Sequence, residues 1–216
     1  TSQAIHETRK LVADFFGADQ PEQVIFTHNC TYAINFALKG VLKPGDHVVV
    51  SDMEHNAVMR PLHALSQNGI ISIDTAESGD TPEQTVANFA KKIKRNTAML
   101  ICMHASNLDG RIMPIERLGQ LARKHRLLFL VDAAQSAGVL DIDVRRMNIS
   151  FLAVSGHKGL YGPMGTGILV VNTGVEIHSI IEGGTGSQSL DFNQPVYLPD
   201  LLESGTPNVP GILGLD

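Results

Sequence analysis

The chain has 216 residues, 43% of them hydrophobic and 18% charged, with a formal net charge of -5. That is enough apolar material for one sizeable core, and the mild acidity leaves no electrostatic footprint for nucleic acid or an anionic membrane surface. No apolar run reaches the roughly eighteen residues of a membrane span, no signal peptide is recognisable, and Cys30 and Cys102 form neither a disulfide framework nor a metal-binding pair. A reducing cytoplasm is the expected compartment.

In chain order, residues 2–16 place Ile5, Leu11, Val12, Phe15 and Phe16 at helical spacing, and Gly17 supplies a stop. The run 24–27 reads as a strand, 31–39 as a helix, Lys43-Pro44-Gly45-Asp46 as a turn and 47–50 as the next strand. Further helices are expected over 56–67, 82–94, 114–125 and 133–137, and further strands over 70–73, 98–103, 127–131, 151–154 and 167–171. Strands alternating with helices predict an α/β domain, a mostly parallel sheet with helices on both faces. There are no internal repeats or charge blocks, and one domain over 1–216 is expected. Both ends read as cut. Thr1 opens the chain inside a helical pattern, and Asp216 closes it just after Pro210-Gly211-Ile212-Leu213 begins another apolar segment, so a fragment is expected.

Placed on this scaffold, five strand ends carry polar, ionisable or backbone-donating groups. Asn29, Cys30 and Thr31 follow 24–27, His55 follows 47–50, Asn107 follows 98–103, Asp132 follows 127–131, and Ser155, His157 and Lys158 follow 151–154. The carboxyl ends of strands in an open parallel sheet are where ligands bind, so a shared site is expected there.

The residue types suit that place. In Ser155-Gly156-His157-Lys158-Gly159-Leu160-Tyr161-Gly162-Pro163, glycines let the backbone turn sharply behind a buried strand. A partly desolvated lysine there can lose its proton and become a nucleophile able to form a Schiff base; the plain alternative is a surface lysine in a turn. Thr27-His28-Asn29-Cys30-Thr31 marks a strand turning into a helix, whose first N–H groups make an anion site or simply carry a helix cap. Asp132, behind Leu, Phe and Val, is costly to bury as a carboxylate without a cation, unless it serves as an N-cap. A lone His55 reads first as a loop histidine capping the next helix.

The segment 131–167 resembles the cofactor-lysine region of class V aminotransferases, fold type I enzymes that use pyridoxal 5'-phosphate. Within that class it is similar to the cysteine desulfurase and selenocysteine lyase group, through Val131-Asp132-Ala133-Ala134-Gln135 and Ser155-Gly156-His157-Lys158. Ser51-Asp52-Met53-Glu54-His55-Asn56-Ala57 resembles the family's Glu-His-x-Ala signature. The resemblance implies a three-layer α-β-α sandwich, the cofactor-binding large domain of that fold type, with the small C-terminal domain outside this chain.

It also implies roles. Lys158 would hold the cofactor and shuttle the substrate's α-proton, and His55 would stack on the ring and take part in proton transfer. Asp132 would pair with the ring nitrogen, Gln135 would reach the phenolic oxygen or the Schiff base from the first turn of a helix, and Asn107 would lie near the same oxygen. Cys30 and Thr31 would lie at the phosphate, with Ser155 and His157 completing the lysine loop. Asn29 and Cys30 stand where the family often has Gly-Ala or Gly-Thr. In Glu182-Gly183-Gly184-Thr185-Gly186-Ser187, Thr185 is the candidate to reach the phosphate of a neighbouring subunit, since family members are homodimers. The implied reaction removes sulfur from L-cysteine, leaving alanine and an enzyme persulfide for a sulfur-acceptor protein. The family's nucleophilic cysteine and carboxylate-binding arginine lie in a C-terminal portion beyond these residues. Selenocysteine lyase, cysteine-sulfinate lyase, aminotransferase or a non-catalytic cofactor-binding module are the alternatives.

Overall fold

The computed structural model describes residues 2–187 and 190–216. The long first helix, α1 (Ser2–Phe16), buries Thr8, Arg9, Val12, Ala13 and Phe16, a face with helical spacing, and Gly17 then adopts φ +69° and ends it. Strand β1 (Val24–Thr27) leads into α2 (Cys30–Lys39), capped by Asn29, whose side chain accepts the Tyr32 N–H at 3.1 Å. The chain continues through β2 (Asp46–Ser51), α3 (Asn56–Gln67), β3 (Ile71–Ala76) and α4 (Pro82–Lys92). Thr81 and Gln84 close a capping box on α4: Gln84 N–H donates to Thr81 Oγ1 at 3.2 Å, and Thr81 N–H to Gln84 Oε1 at 3.3 Å. Then come β4 (Thr97–Met103), α5 (Ile115–His125), β5 (Leu128–Asp132), β6 (Phe151–Ser155), β7 (Gly167–Val171) and the short α6 (Val209–Leu213).

The seven strands form one sheet in the order β1-β7-β6-β5-β4-β2-β3. Strands β2 to β6 pair parallel, and β7 runs antiparallel to both of its neighbours, so it is the one reversed strand among the described residues. The expected mixed, mostly parallel sheet is thus present. Its side chains alternate between two cores. Leu100, Cys102, Leu152 and Val154 join Val12, Phe16, Phe89 and Leu118 on the face covered by α1, α4 and α5. Met99, Ile101, Phe151 and Ala153 join Ile34, Leu38, Val58 and Leu62 beneath α2 and α3. Strands buried on both faces read as continuous apolar runs, which is why they were visible in the sequence.

One expected element does not form. Residues 133–137 are a succession of turns, not a helix. Ser136 N–H and Ala137 N–H both donate to Ala133 O, and Val139 and Leu140 N–H both donate to Ser136 O. A five-residue run has little helix stability of its own, so tertiary contacts decide its conformation. Gly138, with φ +80°, also has to approach Gly159 closely: a Cβ on Gly138 would lie 2.2 Å from Gly159 O.

After β7 the chain returns to the β1 edge. Arg9, from α1, pairs there with Glu203 through two nitrogen–oxygen contacts of 2.7 and 2.8 Å. Glu203 also accepts the Phe26 N–H at 2.7 Å, and the Arg9 guanidinium lies 4.7 Å from the centre of the Phe26 ring. This buried knot fastens the loop around Glu203 to β1.

Candidate active site

Because β1, β2, β4, β5 and β6 run the same way, their carboxyl ends share one edge of the sheet. A cleft of about 280 Å³ opens there, lined by Asn29, Cys30, Thr31, His55, Asn107, Asp132, Gln135, Ser155, His157 and Lys158 among others. Nine of the ten site residues expected from the sequence therefore meet in one place. Thr185 does not. It lines a separate cavity with Phe26, Tyr32, Asp200 and Glu203, and its Oγ1 lies 3.0 Å from Ser187 Oγ.

Asp132 sits at the floor, 4% exposed. Its Oδ1 accepts the Ala134 N–H at 2.9 Å and the Cys30 thiol at 3.5 Å. Burial pushes its carboxyl above the ordinary value, against the opposing hydrogen bonds from Ala134 and Cys30 and the charges of Lys158 and His55. Among the described residues it makes no ion pair. A buried carboxylate with its cations at a distance is a site that favours a positive ligand atom. Cys30 is also driven well above the usual thiol range, first by burial and then by the charge of Asp132. It is a neutral donor, not a thiolate.

The other groups surround this floor. The first-turn N–H groups of Cys30 and Thr31 have no acceptor further back in α2, and they stand at the positive end of a helix, where an anion is favoured. Gly167 lets β7 pass against that turn: a Cβ there would lie 2.3 Å from the Asn29 carbonyl carbon. His55 caps α3, its Nδ1 accepting the Ala57 N–H at 3.0 Å, so a neutral ring carries its proton on Nε2. The capping role and a place in the cleft are both realised. Ser155 Oγ and His157 Nδ1 stand 3.3 Å apart. Lys158 lies on a turn closed by the Tyr161 N–H donating to its carbonyl at 2.9 Å, and Tyr161 itself takes φ +57°. Gly159 presses this turn onto residues 133–140, since a Cβ on Gly159 would lie 2.3 Å from Ala137 O. The paired glycines Gly138 and Gly159 therefore hold the Lys158 turn against the Asp132 turn. Gln135 reaches the cleft from that second turn, not from a helix as expected.

One residue of the signature received no role from the sequence. Glu54, beside His55, is internal: its Oε1 accepts Met103 N–H and Ser51 O–H, both at 2.6 Å, and its Oε2 is buried without a partner. Its adjacency to His55 was the available signal; its burial was not legible.

A mixed sheet with a lysine turn, a buried acid and a helix N-terminus gathered at its carboxyl edge describes the scaffold of a ligand-binding α/β enzyme domain. The chain belongs to the class-V aminotransferase family, whose pattern matches residues 1–216. It is 35% identical over 223 residues to a probable cysteine desulfurase of Pyrococcus abyssi, covering 99% of this chain and 55% of that protein. Among solved structures it is similar to the apo cysteine desulfurase of Thermococcus onnurineus NA1, with TM-score 0.90, 34% identity, and coverage of 99% of this chain and 55% of the other. It is also similar to SspA in complex with cysteine, with TM-score 0.83, 32% identity, and coverage of 99% and 59%. The chain spans about half the length of the curated relatives it matches.

Proposed function

We propose that this chain is the large, cofactor-binding domain of a pyridoxal 5'-phosphate enzyme that takes sulfur from L-cysteine. The observation that carries the reading is Asp132, a buried carboxyl without an ion pair among the described residues, on the floor of the cleft that Lys158 lines. The residues fit the cofactor. Asp132 would hold the protonated ring nitrogen, Cys30 and Thr31 N–H groups the phosphate, and Asn107 and Gln135 the phenolic oxygen, with His55 over the ring and Lys158 as the attachment point. When bound, the cofactor supplies an aldehyde that condenses with amines and a ring that accepts electron density from the substrate's α-carbon.

The chain's own groups do the rest. Lys158 Nζ, in its neutral form, takes the proton from the α-carbon of L-cysteine, and the Asp132 carboxylate keeps the ring nitrogen protonated while that happens. His55 Nε2–H stands ready as a donor on the opposite side of its ring from the helix cap. An enzyme thiolate attacks the substrate sulfur, the carbon–sulfur bond breaks, and the products are alanine and an enzyme persulfide. Neither Cys30 nor Cys102 suits that attack, since burial raises both thiols well above the usual range. The nucleophile therefore comes from elsewhere in the enzyme, as would a carboxylate-binding arginine.

The active protein is proposed to be a homodimer, with Thr185 offered to the phosphate of the second subunit. The exposed Leu190, Phe192 and Val196 just beyond that loop support a covered surface there. A sulfur-acceptor protein would take the persulfide. No helix among the described residues is long and apolar enough to cross a membrane, and both cysteines are free, which supports a cytoplasmic setting.

The test is chemical labelling of the enzyme carrying this chain. Borohydride treatment after loading with pyridoxal phosphate should attach the cofactor to Lys158 alone, and L-cysteine should yield alanine. Label on a different lysine, or none in folded and loaded protein, refutes the assignment. Labelling at Lys158 without alanine formation would keep the cofactor site and reject L-cysteine as the substrate.

A further inference from the structure

Glu54 has no part in the chemistry proposed above, yet it joins the two halves of the cleft. It lies in the loop between β2 and α3, immediately before His55. Its Oε1 accepts the Met103 N–H at the end of β4 and the Ser51 O–H at the end of β2. Met103 is the register partner of Asp132, and the next amide, His104 N–H, donates to Asp132 O at 2.9 Å. One carboxyl thus connects the loop of His55 to the strand end bonded to Asp132. We propose that Glu54 is a positioning residue that fixes His55 relative to Asp132 by clamping the His55 loop onto β4 through the Met103 N–H. The clamp is a property of the chain; only its catalytic meaning rests on the function proposed for His55 and Asp132.

The clamp is built to be neutral. Burial pushes the Glu54 carboxyl up to about 8, against the hydrogen bonds from Ser51 and Met103 that favour its charged form. The titratable groups that act on it are Asp132 at the end of β5 and Asp52 in its own loop, and the Cys102 thiol of β4 is raised in turn by Glu54. All are acidic, so none rewards a charge on Glu54. Held as the acid, it bonds Met103 and Ser51 without adding a second negative charge beside Asp132. Above its midpoint that charge appears, and the groups on both sides of the clamp must respond.

The test is nuclear magnetic resonance on the cofactor-free enzyme, titrated between about pH 6 and pH 10. The amides that report are Met103, Ala57, which donates to His55 Nδ1, and Ala134, which donates to Asp132 Oδ1. In the wild type all three should share one inflection near the Glu54 midpoint. Glu54→Gln should abolish it while keeping slow exchange at Met103 and Ala57, because an amide oxygen still accepts the Met103 N–H and the Ser51 O–H and so holds the His55 loop in place. Glu54→Ala should speed exchange at Met103 and Ala57 by about tenfold or more. In cofactor-loaded enzyme, the same inflection should appear in the pH profile of the cofactor's absorption and vanish in Glu54→Gln. Absence of a shared inflection in the wild type, or its survival in Glu54→Gln, overturns the proposal, and this comparison decides alone should the alanine variant not fold. Failure of labelling at Lys158 with the amide inflection intact would sink the proposed function and leave the clamp standing.

Discussion

The Cys30 thiol donates to Asp132 Oδ1 across 3.5 Å, joining groups 102 positions apart in the chain. Deprotonating Cys30 would put two negative charges side by side in a buried place, so its thiol stays protonated far above neutral pH. Alkylation of Cys30 by iodoacetamide near pH 8 should therefore be at least about a hundredfold slower in the folded protein than in urea. Mass spectrometry of timed samples reads this directly. Labelling at the rate of a free thiol would contradict the geometry.

Asp132→Asn separates attachment of the cofactor from its use. An asparagine keeps the shape of the floor and removes the charge that would hold a proton on the ring nitrogen. Borohydride should still fix the cofactor to Lys158, while exchange of the substrate α-hydrogen with solvent deuterium falls about a hundredfold or more, ~2.7 kcal/mol of barrier. Proton resonance of the α-position follows the exchange. A rate close to that of the wild type would remove Asp132 from the proposed chemistry.

Glu54 also makes stability depend on pH in a calculable direction. Its folded value, about 8, lies above the ordinary 4.5, so the folded chain retains a proton that the unfolded chain releases. Its contribution is whole below about pH 4.5, declines as pH rises, and is lost beyond about pH 8. Glu54→Gln lacks this titration. The variant should gain on the wild type steadily across that window, by an amount on the order of a few kcal/mol, read as urea midpoints at a series of pH values. A variant that loses ground as pH rises would show that Glu54 is charged in the fold.

Arg9→Met should be costly although Arg9 is remote from the cleft. It would leave the Glu203 carboxylate in its partly buried place, holding only the Phe26 N–H, and would strip the Phe26 ring of its cation. Removing one member of a buried pair costs about 3 kcal/mol, and urea denaturation should show it. The double variant Arg9→Met with Glu203→Gln should recover part of that loss, since no unpaired charge remains.

Much of the fold and site was legible because buried strands announce themselves as apolar runs. Val24–Thr27 and Gly167–Val171 form as read, and β2, β4 and β6 run one or two residues longer than read. Strand β5 is shifted one residue towards the C-terminus, and β3 starts one residue later and ends three later. The polar residues just past those runs meet in one cleft because parallel strands bring their carboxyl ends together. Residues 133–137 misled because Ala and Gln favour a helix locally, whereas the approach of Gly138 to Gly159 is a tertiary demand with no local trace. Glu54, quoted within the signature, received no role for a similar reason. Ser51-Asp52-Met53-Glu54 has the polarity of a solvated turn, and only the position of Met103 shows that the carboxyl points inward. Thr185, which the resemblance implies for a second subunit's phosphate, borders a separate cavity within its own chain.

The reversal of β7 sets an order for the protein's birth on the ribosome. Strand β1 is made early, but its sheet partner is β7, so Phe26 waits for Ile168 before its backbone is paired. At about 5–20 residues per second that wait is on the order of ten seconds, spent with an apolar strand and the start of α2 unsupported. Sheet pairing across so long a separation is also slow to close. The turn at Asn29–Thr31, proposed to hold a phosphate, rests on Gly167, so a nascent chain cannot complete that turn until almost the whole sheet has emerged. Ribosome-bound chains halted before Gly167 should leave β1 open to protease, and chains extended past Val171 and the exit tunnel should protect it.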